Sequence, residues 1–294
     1  MRHETAGPPK AGPAIRESYE TLFRQAEERL SRCGVPEARL DAWYLLSDTF
    51  DIKRADYLWR FRESPPAVPA CWEERLKKRC ERMPLAYVLG KTEFMGLPFL
   101  VEPGVLVPRQ DTETLAEWVL KEERSGLSLL DMCTGSGCIG LSLEKLGGFD
   151  VTLCDLSLQA RETACRNREA LALKAAVYGG DLFDGLPEGA RYDVIVSNPP
   201  YIASGVIASL QPEVRDYEPV MALDAGEDGL RFYRRLAKEA PGFLCFGGRL
   251  YLEIGFDQGE SVPAILYAAG FTGIEVRRDL AGKDRVVRGV YQNV

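Results

Sequence analysis

The sequence predicts an α/β protein with a mainly parallel sheet, preceded by a small helical region. Three observations carry this. From Leu127 to Tyr291, short apolar runs suited to buried strands alternate with segments of helical periodicity. The first of these strands runs into a glycine-rich turn, Asp131 to Gly140, of the kind that opens a helix at the carboxyl edge of a doubly wound sheet. Before Met83 the apolar spacing is helical.

In chain order, Tyr19, Leu22, Phe23, Ala26 and Leu30 recur at helical spacing, and Gly34 with Pro36 stops that run. A second helix, about Glu37 to Thr49, puts Leu40, Trp43, Tyr44, Leu45 and Leu46 on or near one face. A third is expected near Arg54–Arg62, and Val68–Met83 resumes after Ser64-Pro65-Pro66. Tyr87–Gly90, Thr92–Met95 and Phe99–Val101 read as strands, with Gly96-Leu97-Pro98 as a turn. Asp111 or Thr112 is placed to cap the helix that follows. Strands are then expected at Leu127–Asp131, Val151–Cys154, Ala175–Tyr178, Val194–Ser197, Arg249–Ile254, Phe271–Arg277 and Arg285–Tyr291. Helices are expected at Gly137–Leu146, Leu158–Leu171, Leu230–Ala240 and Val262–Ala269. The resulting division is a flexible tail (1–14), a helical domain (15–83), a β-hairpin linker (84–107) and an α/β domain (108–294).

Composition removes several classes of function. At 294 residues, 46% hydrophobic and 28% charged, the chain has the make-up of a globular protein with more than one core. No apolar run approaches the roughly 18 residues of a membrane span. Met1–Pro13 has no apolar core and does not read as a signal peptide, so the cytoplasm is expected. Eight cysteines are scattered without a C-x-x-C, and no cluster has metal-ligand spacing, so no metal is expected. The single histidine, His3, lies in the tail, which excludes Ser-His-Asp and Cys-His chemistry from the folded part. Residues 1–82 carry a net +2 and residues 83–294 a net −9. An acidic main domain argues against direct binding of nucleic acid.

Ligands in such sheets bind outside the carboxyl ends of the strands. Gly135 and Gly137 allow a tight turn and close backbone approach, with Thr134 beside them. The string contains G-x-G-x-x-G, so a dinucleotide must be considered beside other nucleotides. Asp155, ending the second strand of the domain, can bind two ribose hydroxyls or cap the helix at Leu158. Asp181 can accept from an adenine amino group while Leu182 packs on the ring, or the pair can form a surface turn. Together these favour an adenosine-type ligand.

The fourth strand, Asp193–Ser197, runs into Asn198-Pro199-Pro200-Tyr201. Two prolines force the chain out of the sheet. They leave either a rigid corner or a turn whose amide, carbonyls and ring hold a planar –NH2 group. Hydride transfer has no evident proton donor here, and no Walker A string supports an ATP-dependent transferase. An amine-binding turn beside an adenosine pocket suits S-adenosyl-L-methionine.

This set resembles the release-factor glutamine methyltransferases, the HemK/PrmC family, over nearly the whole chain after residue 15. The strings that carry the resemblance are Leu106–Glu113, Asp131–Gly140, Asn198–Tyr201, Val214–Pro219 and Leu223–Gly229. The resemblance implies a Rossmann-like, seven-stranded methyltransferase domain behind an N-terminal helical bundle and a hairpin linker. It implies methylation of the side-chain amide (N5) of the glutamine in the Gly-Gly-Gln motif of bacterial class I peptide release factors, with S-adenosyl-L-homocysteine as product. Asn198 and Pro199 would then hold the amide, and Pro200, Tyr201 and Arg109 would line the acceptor pocket. Thr134, Gly135, Gly137, Asp155, Asp181, Leu182 and Asn198 would bind the methyl donor, and the helical domain would bind the substrate protein. A monomer is expected. Arg109, Asp111, Glu113, Arg215 and Glu218 can meet the substrate or form local ion pairs and caps. Cys133 stands where many methyltransferases have the first glycine of the loop, and the turn is expected to need a negative φ there. Methylation of a ribosomal-protein glutamine, methylation of a nucleic-acid amino group, and non-catalytic adenosine binding stay as alternatives.

Overall fold

The computed structural model describes residues 17–292. The expected tail, His3 included, lies outside them. Contacts divide the chain into two units, with the boundary between Leu89 and Gly90.

The first unit is helical: α1 Tyr19–Arg32, α2 Ala38–Phe50, α3 Tyr57–Arg60, α4 Ala70–Cys80 and α5 Leu85–Leu89. Ser18 caps α1 by accepting from the Thr21 N–H at 3.2 Å. Leu22, Ala26 and Leu30 of α1 pack on Ala42, Leu45 and Leu46 of α2 and on Trp72 and Leu76 of α4. Inside this apolar cluster the Asp41 carboxylate accepts from Arg79 Nε at 2.6 Å, both side chains being almost fully enclosed.

Three expectations for this unit change. Leu40 and Tyr44 are exposed, and the buried face of α2 is Ala38, Asp41, Ala42, Leu45 and Leu46. The third helix shrinks to a 3-10 turn, Arg54–Asp56, followed by α3. Tyr87–Leu89 is helical, not extended. The Pro84 carbonyl accepts from the N–H groups of Tyr87 and Val88, and Val88 and Leu89 pack on the helical core. Local helix propagation and tertiary packing override the β preference of Tyr and Val.

The second unit begins with a hairpin, β1 Lys91–Phe94 and β2 Leu97–Leu100, then α6 Glu113–Glu122. There follow β3 Ser128–Met132, α7 Cys138–Gly147, β4 Asp150–Asp155, α8 Leu158–Ala170, β5 Ala176–Gly179 and β6 Tyr192–Ser197. The chain closes with α9 Pro212–Arg215, α10 Arg231–Glu239, β7 Leu244–Glu253, α11 Ser261–Ala268, β8 Phe271–Arg278 and β9 Asp284–Tyr291. The seven-stranded sheet has the order β5-β4-β3-β6-β7-β9-β8. Its first five strands are parallel, and β9 runs antiparallel to β7 and β8.

Side-chain alternation splits the core. Leu129, Leu153, Val194 and Val196 face α6, α7, α8 and the hairpin, while Leu130, Ile195, Leu250 and Leu252 face α10 and α11. Strand order reverses between β3 and β6, which is where a doubly wound sheet opens a crevice. Register then aligns the strand ends: Met132 pairs with Cys154 and with Ser197, and Asp155 pairs with Gly179. Residues just past those ends therefore converge, although they are far apart in sequence.

Candidate active site

The turn after β3 is held from beneath by Asp131. One oxygen, Oδ2, accepts from the Thr134 hydroxyl at 2.6 Å and from the Gly140 N–H at 2.9 Å. The other, Oδ1, is buried without a partner. Burial pushes the Asp131 carboxyl up to about 7, against the lowering effect of those two hydrogen bonds. Cys133 has a φ of +59°, so the expected negative φ is wrong. The turn adopts the left-handed conformation at the cysteine itself, at a strain of about 1 kcal/mol. Gly135 and Gly137 also have positive φ. A Cβ at Gly137, the N-cap of α7, would stand 2.9 Å from Leu141 Cδ1.

Asp155 is locked by backbone. Its Oδ2 accepts from the Gly135 N–H at 2.8 Å and its Oδ1 from the Ser157 N–H at 2.9 Å. Burial raises its pKa, and the two N–H groups with Arg161 oppose the rise. Ser157, not Asp155, caps α8, accepting from the Ala160 N–H at 3.3 Å. Asp181 is exposed and pairs with Arg235 Nη1 at 2.7 Å. Leu182 is buried at a φ of +56°.

Pro199 and Pro200 end β6 at Ser197, whose hydroxyl donates to the Met132 carbonyl at 2.7 Å and ties the ends of β6 and β3 together. Asn198 is half-buried, and its Nδ2 donates to Thr112 Oγ1 at 3.3 Å. Thr112 lies in a 3-10 turn leading into α6, and neither it nor Asp111 makes the expected side-chain cap. Glu113 instead accepts from the Met95 N–H at 2.6 Å, fixing the hairpin tip.

The segments after β6 also brace the turn. Ile202 exchanges backbone hydrogen bonds with Leu223 and Ala225. A Cβ on Gly229 would lie 2.6 Å from the Tyr201 carbonyl, so this approach requires a bare backbone. Gln258 binds that same carbonyl through Nε2 at 3.0 Å and the Gly229 carbonyl at 3.2 Å, while its Oε1 accepts from the Gly255 N–H at 2.9 Å. Arg109 Nη2 reaches both oxygens of Glu218, at 2.6 and 2.8 Å, and the Glu218 side chain is fully enclosed. Arg215 pairs locally with Asp216 and is exposed.

These elements line an open cleft. Arg109, Thr134, Gly135, Asp155, Asp181, Leu182, Asn198 and Pro200 line it, together with Cys133. Gly137, Pro199 and Tyr201 are not on its wall. Gly137 packs beneath the turn, Pro199 is buried, and Tyr201 packs against the core on the α10 side of the sheet. Burial raises the Tyr201 phenol above its ordinary range. Glu253 and Gln258 were not anticipated. A glutamate in the apolar run Leu250-Tyr251-Leu252-Glu253-Ile254 is a legible signal, because a carboxylate there must be buried.

Comparison with known proteins places both units. Residues 21–90 match the family model "PrmC N-terminal domain" and residues 108–210 the model "Methyltransferase small domain". A release factor glutamine methyltransferase of Geobacter sulfurreducens is 41% identical over 263 residues, covering 88% of this chain and 92% of its own. Its counterpart from Cereibacter sphaeroides is 40% identical over 270 residues, covering 90% and 95%. In fold, the chain is similar to a solved methyltransferase of Pyrococcus furiosus, with a TM-score of 0.53 at 20% identity over 68% of this chain and 91% of that one.

Proposed function

This chain belongs to the release factor glutamine methyltransferase family, and from that premise we propose that it methylates the N5 amide nitrogen of the Gly-Gly-Gln glutamine in bacterial class I peptide release factors, with S-adenosyl-L-methionine as donor. The observation that carries the reading is one cleft with a carboxylate-and-glycine wall, Asp155 and Gly135, and an amide wall, Asn198.

The donor set suits the proposed cofactor. Asp155 stands at a strand end as an acceptor for vicinal hydroxyls. A Cβ at Gly135 would meet no protein atom within 4 Å, so the turn leaves that side of the cleft bare for a ligand. Thr134 with the glycine turn, Asp155, and Asp181 with Leu182 would hold it. Arg235 occupies one oxygen of Asp181 and leaves the second for an amino group. When bound, S-adenosyl-L-methionine supplies an electrophilic methyl group.

The chain's own residues do the positioning. An amide nitrogen is a weak nucleophile because its lone pair is delocalised into the carbonyl. Asn198 Oδ1 on the cleft wall would accept from the substrate –NH2 and aim its nitrogen, which serves both alignment and charge stabilisation. The Pro199 carbonyl, expected to take the second hydrogen, belongs to a residue off that wall. An amide oxygen is not a strong base, so the displaced proton goes to water after transfer. In this reading residues 108–294 carry the chemistry and residues 15–83 engage the protein substrate. The acidic balance of residues 83–294 favours a protein partner over nucleic acid. Among the described residues, no helix is long and apolar enough to cross a membrane. A translation factor as substrate favours the cytoplasm, and we take the enzyme to act there as a monomer. The test is mass spectrometry of a release factor incubated with the protein and the donor. One added methyl on the Gly-Gly-Gln glutamine is expected. No mass gain with folded protein overturns the reading.

A further inference from the structure

The proposed donor is bipolar. Its nucleoside end suits Asp155 and Asp181, and its methyl group must reach a nitrogen held at Asn198. The arm that carries its α-amino and α-carboxylate groups belongs nearer the amide wall. A carboxylate drawn out of water needs a partner, and Asp155 and Asp181 cannot be one.

Among the described residues, Arg109 is the only cationic side chain on the cleft wall. It ends a segment, residues 104–109, that lines the cleft without a break. That segment is tied on both sides. The Pro103 carbonyl accepts from Gln159 Nε2 of α8, the helix that follows Asp155, and Thr112 Oγ1 accepts from Asn198 Nδ2 at 3.3 Å. Arg109 stands at the second tie, because its carbonyl accepts from the Thr112 N–H at 3.1 Å.

The guanidinium is only half committed. Nη2 alone reaches both oxygens of Glu218, at 2.6 and 2.8 Å, and the Arg109 side chain stays 40% exposed while that of Glu218 is fully enclosed. Among the described residues, neither Nε nor Nη1 donates a hydrogen bond. A buried carboxylate thus fixes where the cation stands and leaves N–H groups for a ligand. The acceptor is the weaker claimant on them. A Gly-Gly-Gln segment brings neutral carbonyls, and hydrogen bonds to an ionised acceptor are roughly twice as strong. A cation on the oxygen of the reacting amide would also draw the lone pair further from nitrogen and weaken the nucleophile.

We propose that Arg109 binds the α-carboxylate of S-adenosyl-L-methionine and that Glu218 positions it there. The inference deepens the donor half of the proposed function and rests on it. Arg109 is where the two walls meet: its tie to Glu218 belongs to the amide side, and its remaining N–H groups serve the donor. A guanidinium matches a carboxylate in shape as well as in charge.

The test needs no turnover. Calorimetry compares S-adenosyl-L-homocysteine with its decarboxylated counterpart, S-adenosyl-3-thiopropylamine, which keeps the nucleoside, the sulfur and the amino group. Wild-type protein should bind the carboxylated ligand about 10- to 100-fold more tightly. In Arg109→Gln that preference should shrink to within about threefold, because only the carboxylated ligand loses affinity. Equal affinity for the two ligands in wild type overturns the proposal. So does an Arg109→Gln variant that keeps the wild-type preference, whether both affinities fall together or only KM for the release factor rises. Should that variant fail to fold with Glu218 left unpaired, Arg109→Gln with Glu218→Gln replaces both charges by amides and gives the same readout. Wild-type protein that binds neither ligand defeats the proposed function and this inference together. A carboxylate preference lost in Arg109→Gln, in protein that adds no methyl to a release factor, defeats the proposed acceptor and leaves the donor contact standing.

Discussion

The two walls of the cleft are built by opposite means. The glycine-turn wall is held by two carboxylates, mostly through backbone N–H groups of neighbouring turns: Asp131 grips the Thr134 hydroxyl and the Gly140 N–H, and Asp155 is clasped by the N–H groups of Gly135 and Ser157. The Asn198 wall is held by side chains drawn from across the unit: Thr112, Gln258 and the Arg109–Glu218 pair. A wall fixed by local backbone suits an invariant small molecule. A wall fixed by distant side chains can be retuned to the acceptor without disturbing the donor site. Substitutions on the two sides should therefore separate donor affinity from turnover.

The largest separation is expected at Asn198. Asn198→Ala should cut turnover by about 100- to 1000-fold while donor affinity, measured by calorimetry, stays within about threefold. Wild-type turnover in that variant would break the contrast outright.

Asp131 tests the other wall through pH. Its folded pKa, about 7, lies above the unfolded value of about 3.9. A raised value stabilises the fold fully below pH 4, and that contribution is lost as pH rises toward 7. Asp131→Asn, whose amide oxygen can still accept from Thr134 and Gly140, removes the loss. Relative to wild type, it should gain roughly 4 kcal/mol in denaturant unfolding between pH 4 and pH 8. A constant difference across that range would mean that Asp131 stays charged in the fold.

Asp155→Ala should weaken donor binding by about 10- to 100-fold, the worth of a charge-assisted contact, and leave turnover at saturating donor within a few-fold. Equal losses in both would merge the two walls into one unit. The smallest effect is expected at Gln258. Gln258→Ala strips partners from the Tyr201 and Gly229 carbonyls and should cost about 1 to 2 kcal/mol in stability. It should also lower turnover more than donor affinity. A stability loss with unaltered kinetics would show that the brace supports the fold alone.

The same contrast explains what the sequence could disclose. The alternation of strands and helices and the stop at Pro199-Pro200 follow from periodicity and covalent geometry, so they are legible from neighbouring residues. Asp155 and Gly135 are legible for a related reason, since strand ends in a parallel sheet converge whatever lies between them. The partners of Asn198 are not legible. Thr112 is 86 residues away, and its position at the head of a helix suggests a cap until the fold brings β6 beside it. Arg109 reads equally well as a substrate contact or an ion pair until Glu218 is found 109 residues away. Tyr87–Leu89 misleads in the other direction, because a β-prone triplet turns helical once Pro84 starts it and the helical core receives it.

Cys133 has a further chemical meaning. The residue lines the cleft, beside the space the proposed methyl donor would take. Sulfur is a much better nucleophile than an amide nitrogen, but only as thiolate. Burial and the nearby Asp155 carboxylate push this thiol well above its ordinary pKa, so it stays protonated at neutral pH. Burial first, and the Asp155 carboxylate second, thereby keep this sulfur in its weakly nucleophilic form beside the proposed donor site.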